Sequence, residues 1–264
     1  MPFALRSIAL AVTMAAPLAL AQAAGAPLKF CYEDIPQAPW TMPDGTGLNI
    51  ELLKRAARIT GDQINFVARP WKRCEEETRT GVIDAMVGPS DNPRRRTYSR
   101  PPTKADGSQD PERAMYRDHV DLYLRVDSAA SWDGKTLVNP RKLVVAQRGY
   151  YIVDMLQARG QTVIDTPKTA EEGLRLLAAG SADVAVLMGR DAENLLKEDP
   201  RFLGRVVLAK QPFATFDFHL MVGNKAYDKE PKRFEAIWNA IAKVRATADY
   251  QRLEQPLVRQ HEHD

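Results

Sequence analysis

The sequence predicts an α/β protein built as two units, the second inserted into the first. Three observations carry this. Residues 28–87 read β-loop-α-β-α-β, the pattern of a parallel sheet with helices on its faces. A second α/β series runs from Lys142 to Ala209. Two alternating strands, His119–Val126 and Phe213–Val222, flank that second series, so the chain leaves unit one near 126 and returns near 213. Two crossings make a hinge, and the cleft between two such units is a common place for a small-molecule site.

The chain has 264 residues, 44% of them hydrophobic and 27% charged, which is ordinary for a folded protein with a sizeable core. A formal net charge of +3, with no basic stripe interleaved with aromatics, gives no sign of nucleic-acid binding. Residues 1–23 read as a secretory leader. Arg6 is the basic residue, Ile8 to Leu20 the apolar stretch, and Ala21-Gln22-Ala23 the small-residue cleavage box. The apolar stretch is short for a bilayer span, and no second one follows. Export predicts a periplasmic protein. Two cysteines, Cys31 and Cys74, then suggest one disulfide, with buried free thiols as the alternative. No His stands near enough to make the pair a metal site.

Leu28 to Glu33 alternates and reads as the first strand. A Pro/Gly-rich loop carrying Trp40 follows. Leu48, Leu52, Leu53, Ala56, Ala57 and Ile59 fall at helical spacing, and Gly61-Asp62 ends that helix. Ile64–Val67 is the second strand, Lys72–Arg79 the second helix, and Ile83–Val87 the third strand. Residues 100–114 lack periodicity and read as an exposed loop. In the second series, Lys142–Ala146, Val163–Ile164, Asp183–Leu187 and Arg205–Ala209 read as strands. Helices fall at Tyr150–Ala158, Ala170–Ala179 and Asp191–Leu196. The chain ends in helices Pro231–Ala248 and Tyr250–Leu257, with a frayed tail at His261-Glu262-His263.

Asp84 to Ser99, DAMVGPSDNPRRRTYS, is the stretch most suggestive of a site. Its strand is expected to break at Gly88-Pro89, leaving backbone N–H groups free at the carboxyl edge, where small ligands sit in α/β sheets. Ser90 and Asn92 add donors, and Arg94, Arg95 and Arg96 add positive charge. A solvated basic loop is the competing reading.

Four segments resemble, in order, motifs of the amino-acid-type (family 3) periplasmic solute-binding proteins that serve ABC importers. They are GLNIELLKRAARITGDQINFV at 47–67, TGVIDAMVGPSDNPRR at 80–95, LVVAQRGYYIVDML at 143–156 and AAGSADVAVLM at 178–188. CYED…PW around Cys31, PWKRC around Cys74 and ASWDGK at 130–135 narrow the likeness to a subgroup with a disulfide in lobe one. The resemblance implies a two-lobed periplasmic-binding-protein type II fold. Each lobe would be a mixed, mainly parallel sheet with helices on both faces. Residues 24–125 plus 214–264 would form lobe one, and 126–213 an inserted lobe two.

It also implies roles. Arg95 would clamp a ligand carboxylate, a task its planar, permanently charged fork suits. Gly88 and Ser90 would contact the ligand from the same turn, and Trp40 would form an aromatic wall. Gly149 and Tyr150 would stand at a helix N-terminus that receives the anion. Of Tyr150 and Tyr151, adjacent at a helix start, at most one is expected to face the cleft. The chain departs from the family in two places. The aspartate that pairs with an α-ammonium falls on Met188, which disfavours an ordinary amino acid unless Asp191 or Asp217 substitutes. The turn around Arg95 is short, so Arg94 or Arg96 could take its place.

The expected function is capture of a small anionic or carboxylate-bearing solute by hinge closure, as the soluble, monomeric partner of an inner-membrane ABC permease, with no cofactor or metal. An envelope accessory or sensor protein on the same fold is the alternative. A cyclic-acid dehydratase is a third reading. It needs an acid or base in the cleft, for which Asp217, Asp191 and Glu33 are candidates, and no catalytic signature is present.

Overall fold

The computed structural model describes residues 25–188 and 191–259; the predicted leader and the His261–His263 tail lie outside them. The first half of the chain runs β1 (Leu28–Glu33), α1 (Leu48–Thr60), β2 (Ile64–Arg69), α2 (Trp71–Thr80), β3 (Ala85–Ser90), α3 (Pro93–Arg96) and β4 (Ser99–Arg100). The crossing strand β5 (Tyr116–Arg125) then leads out to a small hairpin, β6 (Ser131–Trp132) and β7 (Leu137–Val138). Next come β8 (Leu143–Ala146), α4 (Tyr151–Ala158), β9 (Thr162–Ile164), α5 (Ala170–Ala178), β10 (Val184–Met188), α6 (Asp191–Glu198) and β11 (Val206–Leu208). The return strand β12 (Ala214–Gly223) is followed by α7 (Asn224–Lys229), α8 (Pro231–Arg245) and α9 (Ala248–Arg259). The short β4, the hairpin and α7 carry too little periodicity to be read from sequence.

The architecture is the two-lobed α/β fold. Lobe one holds the parallel set β2-β1-β3, and lobe two the parallel set β10-β8-β9. Strands β12 and β5 run antiparallel between them and join everything into one ten-stranded sheet. Each crossing strand serves both sides. β12 pairs with β5 over Ala214–Phe218 and with β3 from Phe218 to Val222. β5 pairs with β12 up to Val120 and with β10 from Val120 onward.

The lobe-one core lies between this sheet and helices α1, α8 and α9. Its largest members are anchored as well as packed. Trp238 Nε1 donates to the Leu220 carbonyl at 2.8 Å, and Tyr250 Oη to the Leu48 carbonyl at 3.3 Å, so neither buried polar atom is left without a partner. Lobe two has apolar clusters on both faces, one under α5 and α6, the other under α4.

The third strand differs from expectation. It does not break at Gly88-Pro89 but continues to Ser90. The pairing with β12 shifts there: Leu220 opposes Val87 and Phe218 opposes Ser90, so Gly88 and Pro89 together face His219. This is a bulge. Gly88 has φ 74°, open to a residue without Cβ, and proline at a bulge forfeits no regular ladder bond. His219 sits fully buried opposite, its Nε2 against the Asp110 carbonyl and its Nδ1 against Gln109. Burial pushes its imidazole below the ordinary histidine value, which keeps it neutral.

Cys31 and Cys74 form the expected disulfide, tying β1 to the first turn of α2 across 43 residues of chain with a Cα–Cα distance of 5.8 Å. Both are fully buried, in a cluster with Trp71, Met86 and Tyr98. Replacing both by serine is expected to cost about 4 kcal/mol by the loop-entropy relation. A guanidinium denaturation midpoint unchanged from wild type would contradict that.

Candidate functional site

The carboxyl ends of β1, β3 and β10 face one another across the gap between the lobes. From lobe one come Glu33 at the end of β1, Trp71 at the start of α2, and Gly88, Pro89 and Ser90 on β3. The crossing strands add Tyr116, Phe216 and Phe218, and lobe two adds Tyr150, Tyr151, Ile152 and Met188. Together they enclose a cavity of about 50 Å³. One water takes roughly 10–15 Å³ by the same measure, so there is room for a few.

Arg95 reaches this cavity because of its short helix. Asn92 caps α3, accepting from the Arg95 N–H at 2.9 Å, and Pro93 takes the first helical position, where its missing N–H costs nothing. The three arginines then point three ways. Arg96 turns out to fork onto Asp91, with a shortest contact of 2.6 Å. Arg94 is half exposed; it reaches Glu75 at 3.3 Å and spans the gap, 3.4 Å from the Gly149 carbonyl and 3.9 Å from Asp154 of α4. Arg95 turns in and is only 3% exposed. Its Nε donates to Glu75 at 3.0 Å, and its Nη1 to the Ser90 carbonyl and hydroxyl at 2.9 and 3.2 Å. Its guanidinium lies over the Trp71 ring at 5.2 Å. The positive wall suggested by the sequence is thus largely compensated inside lobe one.

A second acid closes the site from the other side. The Tyr150 hydroxyl donates to Glu33 Oε2 at 2.5 Å and accepts from Gln37 Nε2 at 2.7 Å. Burial pushes the Glu33 carboxyl up to about 7, with Asp34 and Glu75 adding to the rise and the Tyr150 hydrogen bond and Arg95 opposing it. Burial and the Glu33 charge push the Tyr150 phenol well above its ordinary value, so it remains a donor.

Of the residues singled out from sequence, Gly88, Ser90, Arg95, Tyr150 and Met188 line the one cavity. Trp40 stands behind it: it stacks on Tyr116 at 4.0 Å, Tyr116 stacks on Phe218 at 4.6 Å, and the indole N–H donates to Asp118 at 2.7 Å. Gly149 lies beside the cavity with φ 85°, and a Cβ there would meet Lys72 of lobe one at 3.2 Å. Asp217 lies between Phe216 and Phe218 on β12. Strand alternation turns it away, to within 3.8 Å of Arg117.

Tyr150 and Tyr151 both line the cavity, contrary to the expectation that at most one would. Tyr150 is the extended N-cap residue (φ −80°, ψ 148°) rather than part of α4, so helical spacing does not separate the two rings. Residues that sequence reasoning passed over are Gln37, Trp71, Tyr116 and the structural acid Glu75. Sequence reasoning offers Glu33 only as a possible catalytic acid. Its place at a strand's carboxyl end was the available signal.

Among the described residues no group of three metal-ligating side chains is present, and no helix is long and apolar enough to cross a membrane. No protein-family model and no curated protein matches the chain. Solved structures do. A histidine kinase sensor domain with similarity to periplasmic binding proteins superposes with TM-score 0.68 at 18% identity, over 87% of this chain and 95% of that one. The glutamate-bound ligand-binding core of GluR0 from Nostoc punctiforme gives 0.66 at 16%, over 88% and 99%. ArtJ, the arginine-, lysine-, histidine-binding protein of Geobacillus stearothermophilus, gives 0.67 at 12%, over 88% and 95%. At such identities the likeness is one of fold. The chain has the periplasmic-binding-protein fold, which in these neighbours serves both solute-binding proteins and sensor domains.

The Arg95–Glu75 pair generates a stability prediction. Glu75 has a second cation in Arg94 at 3.3 Å, whereas Glu75 is the only carboxylate that Arg95 pairs with among the described residues, so removing Glu75 leaves the buried guanidinium without its counter-charge. Glu75→Leu is expected to cost about 3 kcal/mol in denaturant unfolding, and the double variant Arg95→Met/Glu75→Leu markedly less. Equal losses in the two would mean that the pair is not coupled.

Proposed function

We propose that this protein is an extracytoplasmic solute-binding protein whose lobes close on a small organic acid or amino-acid-like solute, setting its anionic group on Arg95 and passing it to an ABC permease. The observation that carries this is the burial of Arg95 on the cavity wall. Glu75 and Ser90 anchor its Nε and Nη1, leaving Nη2 as the nitrogen for a guest oxygen to reach. An arginine preset in this way loses little side-chain entropy when it binds. Ser90 and the Gly88 backbone would contact the same group, while Tyr150 and Met188 would cover the guest from lobe two. Trp71, Phe216 and Phe218 supply an apolar wall. The guest needs more space than the present cavity, since pockets for drug-sized ligands run to roughly 300–1,000 Å³. Opening about β5 and β12 would admit it.

Two observations favour a second reading, a sensor that reports occupancy to a partner protein. The neighbours include a histidine kinase sensor domain and a periplasmic VFT2 domain of BvgS from Bordetella pertussis. The lobes here also touch directly, protein to protein, through Tyr150 and Glu33. Both readings share the capture step and differ in the partner.

A thermal-shift screen of amino acids and amine-free organic acids at millimolar concentration tests that step. At a hundred times the dissociation constant, a ligand adds about 2.7 kcal/mol, which raises Tm by about 5 °C or more in a protein of this size. At least one carboxylate-bearing compound is expected to do so, and Arg95→Gln to abolish the shift. A screen in which only uncharged or purely cationic solutes bind would sink the anion-clamp reading.

A further inference from the structure

Glu33 and Tyr150 are 117 residues apart in sequence and stand on opposite sides of the gap, one ending β1 of lobe one, the other capping α4 of lobe two. Their hydrogen bond is the shortest polar contact between the lobes among those described, and both residues are less than a tenth exposed. Gln37 fixes its direction: by donating to the phenol oxygen, it leaves the phenol proton for Glu33. We propose that this contact is a proton-dependent latch, in which closing the lobes takes up a proton at Glu33 and a fall in pH therefore favours the closed form. It concerns the regulation of the same site and rests on the capture reading only for the hinge motion.

The argument is one of desolvation. With the lobes apart, Glu33 would face water and its carboxyl would move back toward the ordinary value of 4.5. With them together it faces a cavity that holds only a few waters. The charged groups around it are mixed. Asp34 from its own strand end and Glu75 from α2 oppose a negative charge at Glu33, while Arg95 from α3 favours it. The recess on its outer side brings Lys72 from α2 with Arg148 and Lys168 from lobe two. Tyr150 from α4 and Tyr116 from β5 are neutral phenols. Burial outweighs the rest, and the closed-form carboxyl titrates near 7.

The sign follows. Between pH 4.5 and 7 the closed form carries a proton that the open form lacks, so the closed-to-open ratio rises as pH falls through 7 and levels off below 4.5. For this single group the ratio is expected to rise about seventyfold from pH 8 to pH 5.

Small-angle X-ray scattering of the purified, exhaustively dialysed mature protein at pH 8 and pH 5, at fixed ionic strength, reads the effect. The radius of gyration is expected to fall at pH 5 in the wild type. Glu33→Gln, a neutral isostere of the protonated acid, is expected to be compact at both values. Tyr150→Phe, which removes the donor that eases a charged Glu33, should be more open than wild type at pH 8. An unchanged wild-type radius, or a Glu33→Gln protein that keeps the wild-type response, overturns the latch. Calorimetry with the carboxylate panel on the same samples at pH 8 separates the two claims: binding without a pH-dependent radius refutes the latch alone, and a pH-dependent radius without binding refutes solute capture alone.

Discussion

Everything at the candidate site depends on the antiparallel pairing of two long strands, β5 and β12. Each is hydrogen-bonded to its crossing partner at one end and to a lobe's parallel set at the other. That arrangement turns the carboxyl ends of β1 and β3 toward the carboxyl end of β10. Strand ends of this kind present free backbone groups and the first turns of helices, which is why α/β proteins place ligands there. The bulge at Gly88-Pro89 adjusts the geometry. By absorbing one extra residue opposite His219, it carries Ser90 back into register with Phe218 and sets α3 where Arg95 turns inward. A regular strand would have sent the three arginines elsewhere.

Within that frame the site gathers charge in an unusual balance. Arg95, Glu75 and Glu33 are all less than a tenth exposed. Taking any of them out of water costs several kcal/mol unless partners compensate. Arg95 and Glu75 compensate each other. Glu33 has only a phenol, an amide and a distant arginine, and its carboxyl responds by rising to about 7. One acid is therefore structural, the counter-ion that holds Arg95 in place. The other is raised toward neutrality by its burial.

Much of the scaffold was legible in the sequence. β1 and the start of α1 fall where alternation and helical spacing put them, and Gly61 ends α1 in a left-handed cap as expected of a glycine there. The disulfide partners and the cavity residues Gly88, Ser90, Arg95, Tyr150 and Met188 were also within reach. What escaped notice depends on contacts distant along the chain. Gly88-Pro89 reads as a strand break, because a bulge needs the facing strand to be seen. Glu33 reads only as one of three candidate acids, because Tyr150, which buries it, comes from the other lobe. Asp217 looks available until alternation on β12 is referred to Phe216 and Phe218. Trp40 and Trp71 both follow a proline in loops, and only the fold tells the wall from its backing.

The site is also asymmetric. Lobe one carries the fixed parts: the disulfide holds β1 to α2 two residues from Glu33 and one residue from Glu75, and the Asn92 cap sets Arg95. The face lobe two brings to the cavity is neutral: Tyr150, Tyr151, Ile152 and Met188. Closure therefore brings no new counter-charge into the cavity, and what it chiefly changes there is the water around charges already in place. A guest that meets Arg95 and an acid that picks up a proton answer the same demand, since both lower the cost of excluding water from lobe one's charges. On that physics the proposed solute binding and the proposed proton uptake are alternative ways to stabilise one closed form.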